Sequence, residues 1–157
     1  MSDPDLANPA SVRGRPENAG VLRYLGQGAE PGSVAVEAPT PQTDRWHLGA
    51  HPDVVDRLWT ALAAGVPTVS PRLIAGGAAL VERAGGRIVA VALGTTYAIR
   101  LAGASLAEAR ERGYTTVHEY RTVGRTLDLT ATFGPGWVFG RHDPGEAAWL
   151  VASHGEG

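Results

Sequence analysis

The stretch Ile88-Val89-Ala90-Val91-Ala92-Leu93 is apolar at all six positions, and glycine pairs or single glycines mark both of its ends. Successive side chains of a strand point to opposite faces of a sheet, so a strand without polar residues must be covered on both faces. Such strands lie in the middle of a sheet rather than at its edge. We therefore predict that residues 88–93 form the central strand of the fold.

Three segments close to this strand also have β-type sequences. Residues 72–75 and 78–83 precede it, and residues 96–101 alternate between large apolar residues at odd positions and smaller or polar residues at even positions. The alternation predicts a strand whose odd positions face the core and whose even positions face solvent. Parallel crossovers need about a dozen residues, so these short connections predict mostly antiparallel pairing.

The clearest period-two pattern lies in residues 126–133, where Leu127, Leu129, Ala131 and Phe133 alternate with threonine or aspartate. Together with residues 114–122, this segment predicts a hairpin with its odd positions facing inward. A Gly-Pro-Gly turn at residues 134–136 then leads into a short strand at residues 137–139.

Three segments have helical signals. His51, Pro52 and Asp53 mark a helix start, and the apolar residues at positions 54, 55, 58, 59 and 62 fall on one helical face. Ser105-x-x-Glu108 matches a capping box and predicts a second helix that ends before the next glycine. Residues 143–146 (DPGE) predict the start of a third helix.

These patterns predict an α+β domain over residues 46–157, with a mostly antiparallel twisted sheet of about five to seven short strands and about three helices. Residues 1–45 differ from it in composition. They hold 11 of the 32 glycines and prolines, one of the ten aromatic residues and none of the histidines. Residues 1–45 have too few apolar residues to offset the entropy lost on ordering. We therefore predict a flexible, disordered leader.

Two apolar islands interrupt the leader. The first contains Val21, Leu22, Tyr24 and Leu25, and the second contains Val34 and Val36. The first could dock on a partner as a helical turn and the second as an added strand. The alternative is a linker whose hydrophobic residues have no binding role.

Composition excludes several kinds of chemistry. All 14 basic residues are arginine, and the chain has no cysteine. Lysine Schiff bases, phosphate-loop lysines, thiolate nucleophiles and cysteine-ligated zinc are therefore impossible. The net charge of -2 disfavours binding to nucleic acid or to acidic membranes. No glycine-rich nucleotide loop follows a predicted strand, so we expect no cofactor.

The predicted location is the cytosol. A signal peptide has a basic start followed by a long apolar run, and the first thirty residues have neither feature. The apolar run at residues 88–93 is far shorter than a membrane span.

Four residues are the candidates if the protein is an enzyme: His51, His118, Asp128 and His142. His118 and Asp128 could approach each other across the predicted hairpin as an acid-base pair. Each candidate also has a structural explanation. His51 and the aspartate after His142 suit helix caps, and His118 with Asp128 suits an exposed ion pair.

The preferred function is a non-enzymatic protein-interaction component, such as an assembly, adaptor or immunity-type protein that binds another protein. Its candidate partner-binding residues are apolar or aromatic, with one arginine: Val21, Leu22, Tyr24, Leu25, Trp137 and Arg141. Aromatic residues and arginine dominate binding hot spots, although aromatic clusters also form cores. The alternative is a small hydrolase or metal-assisted enzyme. The sequence leaves the oligomeric state open.

Overall fold

The computed structural model describes residues 9–40, 50–120 and 125–140 of the 157-residue chain. Their strands are β1 Val36–Glu37, β2 Val69–Ile74, β3 Gly77–Glu82, β4 Ile88–Leu93, β5 Thr96–Arg100, β6 Val117–Tyr120, β7 Arg125–Asp128 and β8 Trp137–Phe139. Their α-helices are α1 Pro9–Gly14, α2 Ala19–Leu25, α3 Pro52–Arg57, α4 Gly103–Glu111 and α5 Leu129–Thr132. A π-helical segment, Leu58–Leu62, continues α3.

Six strands form one sheet in the order β1-β2-β3-β4-β5-β8, and β6 and β7 form a separate two-stranded ribbon. Every pairing between these strands is antiparallel. The predicted α+β class with antiparallel pairing is therefore confirmed. Within the part of the chain that the structure describes, no helix has the length and apolar character needed to span a membrane.

Strand β4 is the inner strand that the sequence predicts. All six of its residues are buried, and it pairs with β3 on one side and β5 on the other. A bulge between Leu80 and Val81 shifts its register with β3. The residues of β4 belong to two separate hydrophobic clusters, one on each face of the sheet.

The first of these faces, called the helical face here, is covered by α3 with its π segment and by α4. His51 caps α3 by accepting a hydrogen bond from the Asp53 N–H at 3.1 Å, and proline occupies the first turn as predicted. Leu58 and Leu62 are fully buried against the sheet. The predicted helix and its buried side are thus both confirmed.

The second face, called the N-terminal face here, is covered largely by residues 9–40, the N-terminal segment. Val12, Val21 and Leu22 are fully buried, and Val36 pairs with Ile74 through β1. The apolar islands adopt the helix and the strand that the sequence suggested, but they pack on the chain's own sheet. The expectation of a leader separate from the domain is corrected for these residues, because the exposed face of the sheet supplies the apolar surface that they lack alone. The proposed boundary at residues 45 and 46 lies outside the described residues.

A buried asparagine fastens the N-terminal segment to the β3–β4 turn. Asn18 is fully buried, and its amide nitrogen donates to the carbonyls of Val12 and Gly86, both at 2.9 Å. Its side-chain oxygen accepts from the Ile88 N–H at 2.9 Å. One side chain thus satisfies three buried backbone groups on two separate parts of the chain.

Two sequence predictions about this part of the fold are wrong. Ala98 on β5 was expected to face solvent, but it is fully buried in the cluster on the N-terminal face. Ser105 was expected to cap α4, but the helix begins at Gly103 after Ala102, and Ser105 lies buried inside it. The predicted end of α4 before Gly113 is confirmed, with Arg112 as the C-cap.

The described residues cover only part of the outer edge of β2. Strand β1 pairs with Ile74 and Leu73, and Pro71 lies in the part of β2 that β1 does not reach. The Pro71 carbonyl accepts a hydrogen bond from Nη1 of Arg72 at 2.7 Å, and the Val69 N–H donates to the Val66 carbonyl at 3.2 Å. The backbone groups at this edge are thus largely occupied or missing.

Candidate functional site

Three aromatic side chains from separate elements stack from the core to the surface, and we call them the aromatic column. Trp137 on β8 is 2% exposed, Phe133 after α5 is 4% exposed, and Tyr24 on α2 is 40% exposed. The ring centroids are 5.2 Å apart between Trp137 and Phe133 and 5.4 Å apart between Phe133 and Tyr24, both edge-to-face. The exposed tyrosine therefore rests on a rigid, buried base.

The approach of α2 to α5 sets the top of the column. A Cβ atom at Gly20 would lie 2.4 Å from the carbonyl oxygen of Thr132, so a glycine at this position lets the two helices meet. Helix α2 buries Val21 and Leu22 against the core, and Tyr24 lies on its outer side.

The position of Phe133 depends on Asp128. Its carboxylate accepts hydrogen bonds from the N–H groups of Thr130 at 3.0 Å and Ala131 at 3.4 Å, so it caps α5. The predicted strand over residues 126–133 is therefore correct for its first part and wrong from Leu129 onward. The period-two pattern predicted an extended chain, whereas the aspartate cap at this point starts a helical turn.

A cluster of charged side chains lies at the end of the sheet beyond the column, and we call it the guanidinium cluster. It comprises Arg15, Glu17, Glu82, Arg87 and Arg100. Arg100 is half-buried and lies directly opposite Trp137 in the β5–β8 register. The β4–β5 register pairs Ala90 with Ile99, which places Arg100 beside the β3–β4 turn that joins Glu82 to Arg87.

Each glutamate of the cluster is held by an arginine of its own. Nε and Nη2 of Arg15 donate to Oε2 of Glu17 at 3.2 and 2.7 Å, and Nη1 of Arg15 donates to the Gly85 carbonyl at 3.1 Å. Nε of Arg87 donates to Oε1 of Glu82 at 2.8 Å, and its Nη2 donates to the same oxygen. The bond from Arg15 to the Gly85 carbonyl ties the N-terminal segment to the β3–β4 turn.

The charges of the cluster act on one another. Burial is the main reason why the pKa of Arg100 is lowered, Arg87 and Arg15 lower it further, and Glu17 and Glu82 act in the opposite direction. Hydrogen bonds from Arg15 lower the pKa of Glu17, and the charge of Arg100 acts in the same direction. Nη1 of Arg100 is shut off from solvent and has no hydrogen-bond partner among the described residues.

The structure separates the predicted catalytic residues that it describes. His51 is an exposed N-cap, and Asp128 is the exposed N-cap of α5. The register of the ribbon pairs Val117 with Asp128 and His118 with Leu127. Paired residues share a face of a ribbon and consecutive residues do not, so positions 118 and 128 lie on opposite faces. The register thus does not favour the predicted acid-base pair, which stays a prediction because the side chain of His118 lies outside the described part of the structure.

His142 lies outside the described residues, as does the predicted third helix after it. Among the residues that the structure does describe, no group of three or more histidines and acids is placed to hold a metal ion.

The predicted partner-binding residues have different positions. Val21, Leu22 and Trp137 are core residues, because each faces the sheet's N-terminal side, and Leu25 is half-buried against the same cluster. Tyr24 alone among the described members of this set is exposed, and Arg141 lies outside the described residues. Sequence reasoning missed Arg100. The signal that could have identified it is the position of an arginine at the end of a strand whose alternate residues are apolar.

Comparison with known proteins adds no assignment. No family model matches the chain, and no curated protein or solved structure matches it either.

Proposed function

We propose that the protein is a non-enzymatic protein-interaction component that binds a partner protein through Tyr24 at the top of the aromatic column. A single observation carries the proposal: a 40% exposed tyrosine stands edge-on against Phe133, which stands edge-on against the buried Trp137. The cytosol is the location that the sequence favours for such a component.

The rigidity of the column supports this function. A tyrosine that is already fixed loses little side-chain entropy when a partner covers it, and its ring offers both an apolar surface and a hydroxyl. The other large hydrophobic residue exposed in the described part of the chain is Val117, at 43%. Single exposed aliphatic residues are common on protein surfaces, so Val117 is a suitable internal control.

Site-specific photo-crosslinking in the cells that make the protein tests the proposal. A photoreactive phenylalanine at position 24 is expected to give a discrete adduct with one partner protein. The same group at Ala107, an exposed position on α4 under the opposite face of the sheet, is expected to give none. Equal labelling of both positions would remove Tyr24 as a binding residue.

The purified partner then allows a quantitative test. Tyr24→Ala is expected to weaken binding by about tenfold or more, as truncation of an aromatic anchor does, while Tyr24→Phe retains most of the affinity. Val117→Ala is the matched control and is expected to bind like the wild type. Unchanged binding by a folded Tyr24→Ala protein would contradict the proposal.

The hydrolase alternative has no supporting geometry in the residues that the structure describes. His51 and Asp128 both serve as helix caps there. The alternative remains a prediction from the sequence for His142 and for the side chain of His118.

A further inference from the structure

We propose that Arg100 is the binding site for a carboxylate group. The inference stands on the geometry of the guanidinium cluster and does not depend on the partner that Tyr24 contacts.

The first step is the charge count of the cluster. It contains three guanidinium groups and two carboxylates, and both carboxylates are already held by Arg15 and Arg87. The cluster therefore carries one positive charge in excess, and this charge lies on the half-buried Arg100. Partial burial makes an uncompensated charge costly, so an anion at this position would relieve that cost.

The second step is the orientation of the group. Nη1 of Arg100 is closed to solvent and makes no hydrogen bond to any group that the structure describes, although the residue as a whole is only half-buried. Nε and Nη2 do not share this closure, so the edge that they form is the one left to meet a ligand. Arg15 and Arg87 use this same edge to hold Glu17 and Glu82. In the described part of the chain, Arg100 presents the fork without a carboxylate on it.

The third step distinguishes a carboxylate from a phosphate. A planar monoanion matches the two parallel N–H groups of one guanidinium edge and the single excess charge of the cluster. A phosphate dianion would bring a second negative charge close to Glu17 and Glu82, and the other two guanidinium groups of the cluster already hold those carboxylates.

The ligand has two possible sources with the same chemistry. One is a small carboxylic acid in solution, and the other is a carboxylate of a peptide, either at its C-terminus or on an acidic side chain. In both cases the site lies next to β8, where the buried Trp137 is directly opposite Arg100 in the register.

Side-chain NMR of the wild-type protein provides the main test, because it needs no variant. The Arg100 Nε–H resonance is expected to shift saturably when sodium acetate is added at constant ionic strength, with a Kd on the order of millimolar or tighter. Sodium phosphate is expected to shift it less at the same concentration. An Arg100 resonance that does not respond to acetate, or that responds more strongly to phosphate, would overturn the proposal.

Two peptides separate the sources. One ends in a free carboxylate and the other is the same sequence with an amidated end and no acidic residue. A tighter response to the first peptide than to acetate assigns the site to a peptide carboxylate, and an equal response assigns it to small acids. A response of similar size to the amidated peptide would contradict carboxylate recognition.

Variants give an independent readout by thermal unfolding. Acetate is expected to raise the Tm of the wild type relative to chloride, and Arg100→Gln is expected to lose this effect. Arg100→Lys keeps the charge but not the fork and is expected to bind several-fold more weakly. Arg112→Gln is the matched control, because Arg112 forms an exposed pair with Glu108 on α4. Equal acetate effects in all four proteins would contradict the assignment to Arg100. Loss of crosslinking at Tyr24 would leave these results unchanged.

Discussion

The two faces of the six-stranded sheet are buried to the same extent by different kinds of chain. On the helical face, Leu58 and Leu62 belong to one continuous helix with apolar residues at regular spacing. On the N-terminal face, equally buried residues such as Val12 and Leu22 come from short helices joined by turns. The comparison teaches that full burial does not require a long amphipathic element.

Polar contacts help to hold the short helices on the N-terminal face, whereas a longer helix covers the helical face. Asn18 forms hydrogen bonds with three backbone groups, two of them at the β3–β4 turn and the start of β4. Arg15 forms hydrogen bonds with Glu17 and with the Gly85 carbonyl. On the helical face, the Trp59 indole N–H to the Ala79 carbonyl, at 3.1 Å, is a comparable contact from helix to sheet. The N-terminal face should therefore be the more sensitive of the two to changes in polar groups.

The largest expected effect tests whether the two faces unfold together. Leu22→Ala and Leu62→Ala each remove a fully buried leucine, one on each face. Both are expected to lower the free energy of unfolding by about 3 kcal/mol, within the usual range for such truncations. Urea unfolding followed by circular dichroism measures both values.

A different outcome would break the comparison. If Leu22→Ala costs less than about 0.5 kcal/mol while Leu62→Ala costs its full amount, the N-terminal segment is not part of the cooperative core. A segment that opens by itself would also give a separate early transition in the wild type.

The next effect concerns the buried amide. Asn18→Ala leaves two carbonyls and the Ile88 N–H without their partner, and it is expected to lower the free energy of unfolding by about 2 kcal/mol. Hydrogen exchange of the Ile88 amide should become faster. Ser33→Ala is the control, because it removes an exposed bond from a side chain to the Glu30 carbonyl and should cost less than about 0.5 kcal/mol. Equal costs for the two variants would contradict the role given to Asn18.

The smallest effect is a dependence on pH. The pKa of Glu17 is lowered from 4.5 in the folded protein, mainly by its hydrogen bonds with Arg15. A lowered pKa contributes stability above the value for the unfolded chain, and this stability is lost as the pH falls through the folded value. Glu17→Gln should therefore be less stable than the wild type at pH 7, by less than about 1 kcal/mol, because the pair is partly exposed to solvent.

The difference in Tm between Glu17→Gln and the wild type should close as the pH falls below 4.5. Arg15→Gln supplies the control background, in which Glu17→Gln should produce a much smaller pH-dependent difference. A gap that keeps its size at acidic pH would show that Glu17 acts through packing rather than charge.

The sequence predicts the helical face better than the N-terminal face, and the reason is local. The six apolar residues 88–93 specify a strand covered on both sides, and His51 with Pro52 specifies a helix start. These signals depend on neighbouring residues alone. Residues 9–40 have few apolar residues, and their order comes from long-range contacts such as Asn18 with Ile88, 70 residues apart in the chain. Composition therefore predicted disorder where tertiary packing imposes order.

The candidate site was predictable only in part. Tyr24 was identified from its apolar surroundings, but Phe133 was assigned to a strand because the period-two pattern continues past the Asp128 cap. The pairing of Arg100 with Trp137 depends on strand order, since β8 skips the ribbon and joins β5. No spacing along the chain between residues 100 and 137 could reveal that contact.

The edge of β2 has a consequence for behaviour at high concentration. Pro71 has no amide hydrogen, Arg72 occupies its carbonyl, and the Val69 amide bonds within its own turn. A strand from a neighbouring molecule would find almost no ladder to extend there, which protects the sheet against fibril-type aggregation. Replacing Pro71 with another residue would add a backbone N–H donor at this edge and would favour pairing between neighbouring molecules.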